Sequence, residues 1–218
     1  MNTAANTRTI VLILVVSLIC FFAIAYSRGM LDGVNMWVNT WATSIQAEKF
    51  TDAANLISFS FDTTVLLAIT VPITGLMVYK RHTENGLLLL GAMGGNALLL
   101  SVSKTIVASP RPLNGLMLEQ GNSFPSGHVT STIVFFGMLA FFAIQNRKTI
   151  SKLCLAAITP VLAVIVAFDR LYLNVHWLSD VLAAPFLALF VLATSILVIQ
   201  HLKGRYDRMK NVPQGNAK

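Results

Sequence analysis

Six apolar stretches, each close to the length of a bilayer, constrain this chain more than any other feature. They cover residues 10–26, 63–79, 86–102, 129–144, 153–168 and 181–200. A membrane span needs about 20 residues, within roughly 17–25. The fourth and fifth are therefore short, and their polar flanks must enter the membrane edge or be covered by protein. Hydrocarbon offers no water to backbone amides, so each stretch must be helical. Only 11% of the 218 residues are charged, against about 25% in soluble domains. The expectation is an all-α, polytopic membrane protein with six transmembrane helices. It forms a single domain over residues 1–218, with a cytoplasmic tail from about residue 201.

Two other readings of the apolar runs deserve weighing. Arg8 before the first run and Ala23-Ile24-Ala25 near its end resemble a secretory signal. The uncharged run is longer than an ordinary signal core, so it reads as a retained helix. Cys20 and Cys154 stand alone inside apolar runs and read as small packing residues. In the third helix Gly91, Gly94 and Gly95 offer a face for close helix contact.

The net charge of +7 does not point to nucleic acid, because the basic residues cluster between the apolar runs. One set of helix ends carries Arg8, Lys80, Arg81, Arg147, Lys148, Lys152, Lys203, Arg205, Arg208, Lys210 and Lys218, eleven bases against the two acids Glu84 and Asp207. The other set carries five bases, Arg28, Lys49, Lys104, Arg111 and Arg170, against seven acids. The positive-inside rule then puts both termini in the cytoplasm. Between the first two spans, Asp32 is positioned to cap a short helix with a stripe of Val34, Trp37, Val38, Trp41 and Ile45. Tryptophan favours the headgroup level, so this helix is expected along the outer interface, where it also packs on the bundle.

Ionisable residues at membrane depth are costly and are functional candidates by default. Here they gather at three helix ends on the outer face. The first segment, KTIVASPRP at 104–112, separates Lys104 and Arg111 by six residues, with prolines ending the helix and stiffening the chain. The second, PSGH at 125–128, leads into the fourth helix. Ser126 is a candidate N-cap there, and the free first-turn amides around Gly127 and His128 suit an anion. The third, DRLYLNVHWLSD at 169–180, puts His176 and Asp180 four apart, on one helical face. A carboxylate on one imidazole nitrogen fixes the tautomer and raises the basicity of the other. Three cations, an oriented imidazole and a second histidine are the parts that phosphoryl transfer needs. Each segment alone has a structural reading, as an interfacial snorkel, a tight turn or a metal-binding pair. Their conjunction at neighbouring helix ends is what carries chemistry.

Together the three segments resemble the type-2 phosphatidic acid phosphatase (PAP2) family of integral membrane lipid phosphatases. That family's signature is Lys-x6-Arg-Pro, then Pro-Ser-Gly-His, then Ser-Arg-x5-His-x3-Asp. The resemblance implies hydrolysis without a metal or cofactor, through a phosphohistidine at His176 supported by Asp180. His128 would serve as acid and then as base. Lys104, Arg111, Ser126, Gly127 and Arg170 would hold the phosphoryl oxygens. The implied substrates are undecaprenyl pyrophosphate, phosphatidylglycerophosphate or phosphatidic acid. The first is favoured because the chain is compact and its site faces outward. One position departs from the signature: Asp169 stands where the family has Ser. An ionised carboxylate repels phosphate, so Asp169 either points away, pairing with Arg170 or Lys104, or is protonated in the site. The first is preferred, because backbone contacts can replace the hydroxyl, and Asp169 is left out of the site.

Other readings remain. A lipid phosphotransferase would pass the group to an acceptor other than water. A lipid transporter or lipid-binding protein would not need both histidines and Asp180 in these positions. Zinc bound by two histidines and a carboxylate would be repelled by three nearby cations. Glu119, in the loop joining the first two segments, reads as a solvated residue near the entrance. His82 and His201 read as ordinary interfacial residues.

Overall fold

The computed structural model describes residues 3–144 and 149–210, and side chains over 7–144 and 153–202. Eight α-helices follow one another along the described chain. They are α1 (Thr3–Ser27), α2 (Asp32–Ser44), α3 (Glu48–Ser60), α4 (Thr63–Tyr79), α5 (Thr83–Val107), α6 (Gly127–Ile144), α7 (Thr149–Tyr172) and α8 (Leu178–Lys210). A 3-10 turn, Arg28–Leu31, joins α1 to α2. Among the described residues five helical segments are long and apolar enough to cross a membrane, and α3 with α4, bent by 46°, meet the same criterion as a pair. The 17 residues of α4 rise only about 26 Å at ~1.5 Å each, short of a hydrocarbon core of ~30 Å.

The central helix is α6. It packs against α4, α5, α7 and α8, and every residue from Gly127 to Phe135 is buried. Leu89, Met93, Val129, Val134, Met138, Val166 and Ala188 form the core around it. α1 runs along α8, burying Phe21 against Phe124 and Leu187. Leu12, Ile19, Phe22 and Val164 stay more than half exposed, as a surface facing lipid allows.

Several sequence expectations need correction. The helix α3 was not anticipated, because Glu48, Lys49, Thr51 and Asp52 interrupt any long apolar run. Its buried face is short, with Ala54 and Ser58 one turn apart. Asp32 does not cap α2; it is the first helical residue, and Leu31 precedes it without a side-chain cap. The buried face of α2 is Asn35, Val38 and Ala42, while Trp37 is 68% exposed. The expected stripe is therefore split, with its tryptophans turned outward. A Cβ on Gly91, Gly94 or Gly95 would meet no atom within 4 Å among the described residues, so these glycines do not make the close helix contact expected of them. The tail expected from residue 201 is helical to Lys210. Of the cations used for orientation, Arg147, Lys148 and Lys218 lie outside the described residues. The side chains of Lys152, Lys203, Arg205, Arg208 and Lys210 do so too.

Candidate functional site

Local geometry at three helix ends brings the three sequence segments together. α5 stops at Ala108, a non-glycine residue in the left-handed region (φ 47°) whose N–H reaches back to the Lys104 carbonyl. Such backbone is strained and persists only where its surroundings enforce it. The chain then turns through Pro110-Arg111-Pro112. The Ser123 N–H donates to the Ser109 carbonyl at 2.8 Å, binding the first segment to the approach of the second. The Ser126 N–H donates to the Asp180 carbonyl at 3.1 Å, and the Trp177 indole N–H to the Pro110 carbonyl at 2.8 Å. Each pair of segments is thus joined by at least one hydrogen bond.

The segment carrying His176 is set by the end of α7. Asn174 takes φ 52°, which Asn tolerates better than most residues. Its amide donates to Thr43 Oγ1 of α2 at 2.7 Å. At the start of α8, Asp180 Oδ2 accepts from the Trp177 N–H at 2.9 Å and lies 3.2 Å from His176 Nδ1. One carboxylate oxygen therefore serves as helix cap and as imidazole anchor. With the Nδ1 proton held by Asp180, Nε2 is left as the acceptor nitrogen, and it faces the Arg111 guanidinium. Burial lowers the His176 pKa below the ordinary 6.5; the Asp180 hydrogen bond and charge oppose this, and Arg111 and Lys104 reinforce it. His176 is accordingly neutral near pH 7.

A cavity of about 170 Å³ opens onto Nε2, lined by Asp62, Thr63, Leu100, Lys104, Arg111, Glu119, Gly127, His128 and His176. Arg111 Nη1 donates to the Val175 carbonyl at 2.7 Å and lies 3.3 Å from His176 Nε2. Its Nε donates to the Gly121 carbonyl at 3.1 Å. Burial pushes the Arg111 pKa down, and the charges of Glu119 and Asp180 oppose it, so it remains a cation. Lys104 lines the same space and makes no ion pair within 4.0 Å among the described residues. Arg170 is fully buried. Its Nε and Nη2 donate to Asp169 Oδ2 at 2.9 and 2.6 Å, and its Nη1 lies 3.3 Å from His128 Nε2. Asp169 thus points away from the cavity into Arg170, the first of its two alternatives.

All eight residues singled out from the sequence converge. Lys104, Arg111, Gly127, His128 and His176 line the cavity, while Ser126, Arg170 and Asp180 stand behind its wall. Ser126 does not act as an N-cap through its side chain. Its Oγ is buried and lacks a hydrogen-bond partner. A Cβ on Gly127 would stand 3.0 Å from Thr63 Oγ1, so any larger residue there would need that hydroxyl to shift.

Two carboxylates that the sequence reading left out of the site also line the cavity, Asp62 and Glu119. Asp62 was counted only as an outer-end acid. Its Oδ1 caps α4 by accepting from the Thr64 and Val65 N–H groups, and its Oδ2 lies 3.5 Å from His128 Nε2. Asp before Thr-Thr-Val is a cap signal, but nothing local tells that its second oxygen meets His128. Glu119 is not the solvated residue expected. Its side chain is 19% exposed, with one oxygen 3.0 Å from Arg170 and the other 3.5 Å from Arg111.

The PAP2 superfamily model matches residues 85–203. The chain is 30% identical over 182 residues to phosphatidylglycerophosphatase B of Bacillus subtilis, covering 81% of this chain and 90% of that protein. It is 28% identical over 136 residues to an undecaprenyl-diphosphatase of Sulfolobus acidocaldarius, covering 59% and 62%. A crystal structure of a transmembrane PAP2-type phosphatidylglycerolphosphate phosphatase from Bacillus subtilis superposes with TM-score 0.79 at 26% identity, over 86% of this chain and 96% of that one. That of Aquifex aeolicus LpxE shares the fold, with TM-score 0.61 at 20% identity over 75% and 94%. With its helices, its three joined segments and these relatives, the chain belongs to the PAP2 superfamily.

Proposed function

We propose that this membrane lipid phosphatase removes the terminal phosphoryl group of a lipid phosphate or pyrophosphate through a phosphohistidine, without a metal ion. The observation that carries the reading is His176. Its Nδ1 is anchored by Asp180 and its Nε2 opens onto a small cavity beside a guanidinium. In the first half-reaction Nε2 attacks phosphorus as the bond to the lipid oxygen breaks. His128, as imidazolium, gives that oxygen its proton. In the second, His128 takes a proton from water, the hydroxide oxygen displaces His176, and inorganic phosphate leaves. Lys104, Arg111 and Arg170, with the Ser126 hydroxyl and the amide of Gly127, offset the charge on the equatorial oxygens. Those three cations supply the neutralisation a metal would, and repel a dication.

Cavity size argues for how the substrate sits. Pockets for drug-sized ligands run to roughly 300–1,000 Å³, whereas this one holds about 170 Å³. It accommodates one phosphoryl group, and the rest of the lipid stays in the bilayer. Orientation with both termini cytoplasmic and the site outside rests on the lysine and arginine bias. Undecaprenyl pyrophosphate is the substrate placed first, a choice that the undecaprenyl-diphosphatase relative supports. Phosphatidylglycerophosphate is the second reading, favoured by the wider coverage of the Bacillus relative.

Phosphate release from both lipids and from phosphatidic acid, by purified protein in detergent with chelator, tests all of this. We expect release that survives chelation and disappears in His176→Ala. Retained hydrolysis in that variant sinks the mechanism. Loss of activity in chelator, restored by a divalent ion, sinks the metal-free reading. Transfer to an added lipid acceptor without phosphate release would make the protein a phosphotransferase.

A further inference from the structure

The cavity that should receive a phosphoryl group already holds a carboxylate. Glu119 Oε1 accepts from Arg170 Nη1 at 3.0 Å, and Oε2 lies 3.5 Å from Arg111 Nη2. Both guanidiniums are among the cations assigned above to the phosphoryl oxygens. A phosphate dianion entering with Glu119 still in place would meet its charge directly. Glu119 must therefore leave the guanidiniums when substrate binds.

The chain around Glu119 is built to let it go. The flanks of the loop are tied down: the Leu116 N–H donates to the Leu173 carbonyl, and the Gln120 and Gly121 carbonyls accept from Arg111. Between them, the backbones of Leu118 and Glu119 make no hydrogen bond to the described residues, and Leu118 is fully exposed. Two side-chain contacts are all that displacement of Glu119 must break.

We infer that Glu119 is a tethered competitor for the phosphate site, keeping singly charged phosphodiester headgroups out until a terminal phosphoryl group displaces it. The inference rests on the phosphate-binding reading above. Three cations at the membrane border would otherwise attract the anionic diesters that surround the protein in the bilayer. A carboxylate on a short tether acts at an effective concentration in the millimolar range or above. It raises the apparent dissociation constant of every competing anion by the same factor. A diester, with one charge and two free oxygens, falls below useful occupancy. A terminal phosphate, with up to two charges and three free oxygens, still binds. The carboxylate thus lowers the occupancy of both anions, while their charge and number of free oxygens set the ratio of the two affinities.

The test compares wild type, Glu119→Gln, Glu119→Asp and Arg111→Ala in detergent micelles. Inorganic phosphate affinity is read from thermal stabilisation, which needs no turnover. Inhibition of lipid phosphate hydrolysis is read against the mole fraction of phosphatidylglycerol. In Glu119→Gln the dissociation constant for phosphate should fall roughly ten- to a hundredfold, the worth of one charge-assisted hydrogen bond. The inhibitory mole fraction of phosphatidylglycerol should fall by the same factor. Glu119→Asp, one methylene too short to span both guanidiniums, should fall between. Unchanged or weaker phosphate binding in Glu119→Gln overturns the inference, as does a phosphatidylglycerol response that does not move. If Arg111→Ala binds phosphate as wild type does, the phosphate site itself has been misassigned.

Discussion

At the scale of single residues, the site is governed by which partner each charge finds. His176 is neutral because burial outweighs the pull of Asp180. The neutral form is the proposed nucleophile, so the acid limb of kcat/KM, where His176 takes up its proton, should lie below pH 6.5. The sign follows from the lowered pKa: the unfolded chain takes up this proton near pH ~6.5, the folded one later. The stabilisation that His176 gives is thus present above that pH and lost on further acidification. In Asp180→Asn the opposing pull is gone, so the acid limb should move further down. Its kcat should drop by about 10²–10⁴ as the tautomer is no longer held. An acid limb that stays in place would contradict the assignment. Asp169→Ser probes the departure from the family signature. It removes the partner of a buried guanidinium but no group that faces phosphate. Activity should be retained, with stability lower by about 1–3 kcal/mol, read from thermal unfolding in detergent. A loss comparable to that of His176→Ala would return Asp169 to the site.

At the scale of elements, helix termini do the positioning. The start of α8 is capped from within by Asp180 and from outside by Asn35. The Asn35 amide oxygen accepts from the Ser179 N–H at 3.0 Å, and its nitrogen donates to Ser179 Oγ at 3.3 Å. α2 thereby supports the segment bearing His176 without entering the cavity. The start of α4 repeats the pattern, with Asp62 as cap on one side and neighbour of His128 on the other. Two variants separate those duties. Asp62→Asn keeps a capping oxygen and removes the charge, so kcat should fall while thermal stability holds. Asp62→Ala should also lose about 1 kcal/mol of stability. Equal kcat in Asp62→Asn and wild type would confine Asp62 to capping.

At the scale of the whole molecule, orientation sets which leaflet supplies substrate. Leu113, beside Arg111, and Tyr79, at the far end of α4, are both highly exposed. With Cys20 and Cys154 replaced by Ser, Leu113→Cys should react with an impermeant thiol reagent added to intact cells. Tyr79→Cys should react only after the membrane is opened. The reverse pattern would turn the protein over. Much of this architecture was legible in the chain, because a bilayer forces apolar runs to be helices and makes each charge at its border conspicuous. The three segments could be read from spacing and charge, and the pairing of Asp169 with Arg170 was one of two readings opened by the family resemblance. By contrast, α3 could not, since a helix half inside a bundle needs only a few buried positions, such as Ala54 and Ser58. Nor could Asp62 and Glu119. The sequence by itself determined the apolar spans and which residues are candidates for the chemistry, through hydrophobicity and local helical geometry. Only the tertiary structure decided which carboxylates face the cations, because Glu119 meets Arg170 from 51 residues away, and no local rule sets a contact between charges that far apart along the chain.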